Sequence, residues 1–97
     1  MEITDYEVQI EDYLKYLRDE EHSPATIRQY RHDILCFFSF LDAGELNRET
    51  ALRYKQELEQ EYQPVSVNAK LSALNSFFFF IGRSDLKLKF LRIQKSA

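Results

Sequence analysis

The sequence is poor in residues that interrupt or cross-link a fold. Its 97 residues include two glycines, two prolines, one cysteine and no tryptophan. The shortage of glycine and proline argues against long disordered segments. The single Cys36 excludes an internal disulfide, and its position within an apolar helical stretch predicts a buried small hydrophobe. Cysteine and histidine do not cluster at the spacing of metal ligands, so we expect no metal and no other cofactor.

Long apolar runs are also missing. The most apolar stretches, residues 38–41 and 77–81, fall far short of the roughly 18 residues that a membrane-spanning helix needs. Residues 2–12 are acidic and do not resemble a secretory signal peptide. We therefore expect a cytoplasmic protein that makes no membrane contact and is a monomer in isolation.

Charge is distributed unevenly along the chain, whose net charge is −3. Residues 1–22 carry eight acids and two bases, whereas residues 66–97 carry six bases and one acid. One interpretation is simply two differently solvated faces. The other is an acidic face set apart from a basic face that meets a polyanion.

Four apolar stripes at helical spacing predict helices near residues 5–20, 24–42, 48–62 and 67–81. The third stripe includes Tyr62, which is therefore expected to be buried. Ser23, Asn47 and Ser66 are the expected N-caps, and Pro24 suits a first helical position. Pro64 is expected to end the third helix. The predicted fold class is all-α, a compact four-helix bundle.

Apolar and basic residues alternate after the last predicted helix. Gly82 is a natural C-terminal stop for that helix. The stretch LKLKF at residues 86–90 is compatible with a short edge strand or with an extended linker. We therefore predict a short basic C-terminal tail after the bundle.

Two segments carry a family resemblance. HSPATIRQYRHDILCFFSFL (residues 22–41) and SVNAKLSALNSFFFFI (residues 66–81) resemble, in this order and spacing, the N-terminal core-binding domain of the tyrosine recombinases, the phage integrases and their relatives. The resemblance implies a SAM-like DNA-binding bundle over residues 1–85. It implies that residues 86–97 are a linker toward a catalytic domain absent from this sequence, so that this chain is not itself an enzyme.

The resemblance also implies double-stranded DNA as a partner, and the second helix has a suitable end. A helix N-terminus favours a phosphate, Thr26 can donate its hydroxyl, and Arg28 and Arg31 can reach phosphates or guanine edges. The fourth helix adds small polar residues and one lysine. The expected DNA-binding residues are Ser23, Thr26, Arg28, Arg31, Ser66, Asn68, Lys70 and Ser72.

We predict that Arg28, Arg31, Asn68 and Lys70 share one face, with the acidic first helix turned elsewhere. The alternative assignments are local capping for Thr26 and ordinary solvent exposure for the other polar side chains.

A protein-binding module without DNA binding is the alternative function. Four successive phenylalanines, at residues 77–80, cannot all face one core, because each helical step turns about 100°. We expect Phe78, and with it Phe77, to point inward and Phe79 or Phe80 to be partly exposed. In the family, the corresponding surface meets the catalytic domain or a neighbouring protomer. The triplet at residues 31–33 is not expected to be catalytic, since adjacent helical side chains diverge.

Overall fold

Four helices dominate the computed structural model, which describes residues 4–93. They are α1 (Thr4–Asp19), α2 (Pro24–Leu41), α3 (Arg48–Glu61) and α4 (Pro64–Phe80), followed by a 3-10 turn at Ser84–Leu86. No strand occurs within residues 4–93, so the all-α prediction is confirmed and the edge-strand alternative is wrong. None of the helices in this range combines the length and the apolar character that crossing a membrane requires.

Local signals start α2 and α3 as predicted. The Ser23 hydroxyl accepts a hydrogen bond from the Thr26 N–H at 3.1 Å, and Pro24 occupies the first helical position. Asn47 and Thr50 form a reciprocal capping box, in which each side chain accepts from the backbone N–H of the other, at 2.9 and 3.2 Å. Both caps satisfy N–H groups that a helix start leaves without an intrahelical partner.

The start of α4 corrects the prediction that Ser66 is its N-cap. The helix begins at Pro64, the N-cap is Gln63, and the Gln63 side chain makes no capping hydrogen bond. Proline suits this position because its φ is already helical and its missing N–H would have had no partner there. Ser66 therefore lies inside the first turn.

The end of α4 agrees with the prediction for Gly82. This glycine has φ +77°, a conformation that costs it little. The Arg83 N–H donates to the Phe78 carbonyl at 2.8 Å, and the Gly82 N–H donates to the Phe79 carbonyl at 3.1 Å. This is the Schellman arrangement, which turns the chain back over the bundle.

α2 and α4 run in the same direction through the centre of the bundle. The rings of Phe37 and Phe78 meet at 5.7 Å between centroids. Closer to the two N-termini, the Lys70 ammonium lies 3.5 Å from a carboxylate oxygen of Asp33. Because these contacts advance along both sequences together, the N-termini of α2 and α4 lie at one end of the bundle and the aromatic cluster lies toward the other.

The core is rich in aromatic rings. Tyr13 is fully buried, and its hydroxyl donates to Ser76 Oγ at 2.6 Å. Burial raises the pKa of Tyr13 above its ordinary value. Tyr54 packs against Phe37 at 5.2 Å between centroids, and burial likewise raises the pKa of Tyr54. Both hydroxyls therefore stay protonated at neutral pH.

Two core assignments from the sequence are wrong. Cys36 is exposed on α2, where its sulfur lies 3.5 Å from His32 Nε2. Tyr62, expected on a buried stripe, is 44% exposed because α3 ends at Glu61, just before it. Cys36 follows the buried Ile34 by two residues and so lies about 160° around α2 from it, on the solvent side. Tyr62 lies just past the end of α3, where helical spacing no longer determines burial.

Candidate nucleic-acid interface

The N-terminal end of α2 uses its hydroxyl groups locally. The Ser23 hydroxyl donates to Thr26 Oγ1 at 3.0 Å and also accepts from the Thr26 N–H. Thr26 thus has the capping role that was its alternative assignment, although Ser23 remains exposed. Ser66 is exposed in the first turn of α4, so the parallel helices place all three hydroxyl residues at the same end of the bundle.

Arg28 and Arg31 lie on the solvent-exposed side of α2, near this end of the bundle. Both are exposed, and neither forms an ion pair with any residue in the part of the chain that the structure describes. Their charges are therefore available to an external anion.

Lys70 occupies a different environment. Its ammonium lies 3.5 Å from the carboxylate of Asp33 and 4.7 Å from the centre of the Tyr62 ring. The Asp33 side chain is only 4% exposed and also accepts a hydrogen bond from Gln29 Nε2 at 3.1 Å. Because a buried carboxylate is costly unless paired, the ion pair of Lys70 with Asp33 stabilises the contact between α4 and α2.

The predicted single face of four residues is not formed. On α4, Lys70 follows Asn68 by two residues, which places the two about 160° apart around the helix axis. On α2, Arg28 and Arg31 precede Asp33, the partner of Lys70, by five and two residues. They consequently lie about 140° and 160° around α2 from the side that Lys70 contacts.

Two asparagines of α4 bind the chain's own backbone. Asn75 Nδ2 donates to the Leu88 carbonyl at 2.8 Å, and the Leu88 N–H donates back to Asn75 Oδ1 at 2.8 Å. Asn68 forms the same pair of bonds with Leu91, at 3.0 and 2.7 Å. Each side-chain amide thus pairs with the N–H and the carbonyl of one residue, as a neighbouring strand would. Asn68 is one of the residues predicted to contact DNA.

We call residues 84–91 the strap. It runs antiparallel to α4, since Leu91 lies beside Asn68 and Leu88 beside Asn75. Leu86 and Leu88 are both fully buried, so the core continues past residue 85. Ser72, which lies between the two asparagines on the same side of α4, is only partly exposed.

Two cations of α3 hold the other edge of the strap. Arg48 donates to the carbonyls of Asp85 and Lys87 at 3.1 and 2.9 Å. Lys55, two turns further along α3, donates to the carbonyl of Lys89. The strap therefore lies along the groove between α3 and α4 and is bound on both sides.

An aromatic patch formed by Tyr16, Phe79 and Phe80 lies at the C-terminal end of α4, where Phe79 borders the strap and lines a cavity together with Asn75 and Lys87. Phe77 and Phe78 are fully buried, whereas Phe79 is 76% exposed and Phe80 is 37% exposed, as predicted. Phe80 packs against the half-exposed ring of Tyr16 at 5.2 Å between centroids. No cluster of three or more His, Cys, Asp or Glu side chains suited to a metal ion occurs within residues 4–93.

Comparisons with a family model and with curated proteins agree on one family. Residues 10–84 match the family described as phage integrase, N-terminal SAM-like domain. Tyrosine recombinase XerC of Oceanobacillus iheyensis is 34% identical over 85 residues, covering 79% of this chain and 28% of that protein. Tyrosine recombinase XerA of Thermococcus onnurineus is 38% identical over 77 residues, covering 78% of this chain and 27% of that protein.

More distant relatives agree with this result. A tyrosine recombinase XerD-like protein of Streptococcus agalactiae is 28% identical over 87 residues, covering 90% of this chain and 35% of that protein. The chain thus spans about a third or less of the length of these relatives. No solved structure gives a significant match.

Proposed function

Because this chain belongs to the phage integrase N-terminal SAM-like domain family, we propose that it is a DNA-binding core-binding domain. It holds one side of a recombination half-site and neither cuts nor joins DNA. The observation that carries the proposal is the open N-terminal half of α2. There Arg28 and Arg31 are exposed and form no ion pair with another described residue.

The chemistry of this end of the bundle suits a phosphate. A helix N-terminus carries the positive end of the helix dipole, and α2 and α4 bring two such ends to the same side. Thr26 and Ser66 add hydroxyl groups there, and the Ser23 hydroxyl holds Thr26 in place. Contacts to phosphate fix the position of a protein on a duplex without reading its sequence, so we expect weak sequence preference.

Catalysis belongs to a separate part of the recombinase under this proposal. The chain spans about 28% of the XerC and XerA relatives, and residues 10–84 match an N-terminal domain only. We assign DNA cleavage to a C-terminal catalytic domain, toward which the chain continues after the strap. That domain and neighbouring recombinase protomers are the proposed protein partners.

The salt dependence of DNA binding tests the proposal. Fluorescence anisotropy with a labelled non-cognate duplex should show weak binding by the unmodified chain that decreases steeply as salt rises. Arg28→Ala/Arg31→Ala should lower the slope of log K against log salt by about 1.8, about 0.9 for each phosphate contact. Absence of salt-sensitive binding by the unmodified chain would reject the DNA-binding function.

A matched control removes the same charge elsewhere. Lys15 and Arg53 are exposed on α1 and α3, and Lys15→Ala/Arg53→Ala should leave the slope unchanged. An equal decrease in both double variants would mean that total charge, rather than the α2 surface, governs binding.

A protein-binding function is the second candidate, and the aromatic patch favours it. Phe79, 76% exposed, would bury a large apolar ring in a contact with another protein. Such a contact depends little on salt, whereas phosphate binding depends on it strongly. The two candidates are compatible in one domain, since the patch and the α2 surface are separate.

A further inference from the structure

The strap presents a row of cations to solvent. Side chains of an extended segment alternate between two sides. Accordingly, Leu86 and Leu88 point into the core, while Lys87 and Lys89 are exposed. Arg92 is exposed immediately after the strap.

Two bases of α3 lie along this row, and the acid Glu59 follows one turn after them on the same side of α3. Arg48 and Lys55 bind strap carbonyls and add two further positive charges along its α3 edge. The acid of the strap, Asp85, is paired with Arg83 at 3.0 Å, and this guanidinium lowers the pKa of the Asp85 carboxyl below its ordinary value. In a chain of net charge −3, the strap is therefore a locally positive surface.

We propose that the strap is a second phosphate-binding element, in which Lys87 and Lys89 contact the DNA backbone and Asn68 and Asn75 are positioning residues. This inference rests on the proposed DNA-binding function. It identifies a contact surface distinct from the N-terminal half of α2.

The hydrogen bonds explain why this surface differs from a flexible basic tail. Ordering a free chain costs roughly 1–2 kcal/mol per residue. The strap is already ordered by two buried leucines and by side chains of α3 and α4. The Cα atoms of Lys87 and Lys89 are consequently held about 6.6 Å apart, the rise of two extended residues, before DNA binds.

The asparagines are suited to this role because an amide both donates and accepts. Asn75 satisfies the N–H and the carbonyl of Leu88 together, and Asn68 does the same for Leu91. Aspartate could only accept, and alanine could do neither. Loss of both amides should loosen the α4 side of the strap while leaving every positive charge in the chain.

Duplex binding measured against salt tests the inference in the whole chain. Lys87→Ala/Lys89→Ala should lower the slope of log K against log salt by about 1.8, while the control Lys15→Ala/Arg53→Ala leaves it unchanged. Salt-sensitive binding by the unmodified chain with an undiminished slope in Lys87→Ala/Lys89→Ala would overturn the strap proposal and leave the proposed function intact. No binding by the unmodified chain would overturn both.

A second variant tests the positioning role. Asn68→Ala/Asn75→Ala should weaken binding and lower the slope although it removes no charge, and amide hydrogen exchange should accelerate at Leu88 and Leu91. Faster hydrogen exchange at Leu88 and Leu91 combined with unchanged DNA binding would contradict the positioning role. If circular dichroism shows that this variant is unfolded, Asn75→Ala alone is measured in the same way.

Discussion

Two pairs of polar residues on the helices have different neighbours. One pair is Asn68 and Asn75 on α4, and the other is Arg28 and Arg31 on α2. Each asparagine exchanges two hydrogen bonds with the backbone of one strap residue. The two arginines are exposed and without an ion pair among residues 4–93. A polar helical face can therefore be the binding site for the protein's own backbone. That possibility must be examined before such a face is assigned to a partner.

The same distinction applies to the lysines. Lys70 neutralises the buried Asp33, whereas the ammonium groups of Lys87 and Lys89 form no ion pair within the described part of the chain. Charge counted along the sequence treats these lysines alike. Their different surroundings lead us to expect that Lys70 contributes to stability and that Lys87 and Lys89 contribute to binding.

The asparagine pair and the arginine pair should differ most in their effect on the free energy of unfolding. Asn68→Ala/Asn75→Ala should lower the free energy of unfolding by roughly 4 kcal/mol, about 1 kcal/mol for each of the four hydrogen bonds lost. Arg28→Ala/Arg31→Ala should change it by no more than about 0.5 kcal/mol. Urea denaturation measures both, and Gln60→Ala serves as a control for loss of an exposed amide. Equal stability of the two double variants would contradict the assigned role of the asparagines.

A smaller effect is expected at Lys70. Lys70→Met should lower the free energy of unfolding by roughly 3 kcal/mol, because it leaves the buried Asp33 carboxylate without its cation. Adding Asp33→Asn should recover part of this loss, since the amide carries no charge. A double-mutant cycle based on urea denaturation gives the coupling energy. Coupling near zero would show that Lys70 is not the partner that Asp33 needs.

The smallest effect separates the two serines that were predicted as caps. Ser23→Ala should destabilise the protein by about 1 kcal/mol, because the Thr26 N–H loses its acceptor. Ser66→Ala should stay within about 0.5 kcal/mol, since Ser66 lies inside the first turn of α4 and the N-cap is Gln63. Thermal denaturation of both variants measures this difference. The prediction is contradicted if Ser66→Ala is destabilised more than Ser23→Ala.

Most of the fold could be predicted from local signals. Apolar spacing located α1, α2 and α3 to within one residue at each end, and Ser23, Asn47 and Gly82 act as expected. The start of α4 was misplaced by three residues because Pro64 is compatible both with the end of one helix and with the start of the next.

The candidate site was less accessible to sequence reasoning. The strap depends on contacts between residues 13 to 39 positions apart, which no helical period encodes. One signal was present: Asn68 and Asn75 are seven residues apart and so lie on one side of α4, and they precede an alternating apolar and basic segment. That pattern was compatible with side-chain amides binding an extended chain.

The most direct test of where DNA binds is a two-dimensional amide NMR titration of the unmodified chain with a short non-cognate duplex at low salt. We predict chemical-shift changes at Thr26–Arg31 and at Lys87–Arg92, reversed by added salt, with residues 7–19 of α1 unaffected. Changes confined to α1 or to the aromatic patch would contradict both proposed DNA-binding surfaces.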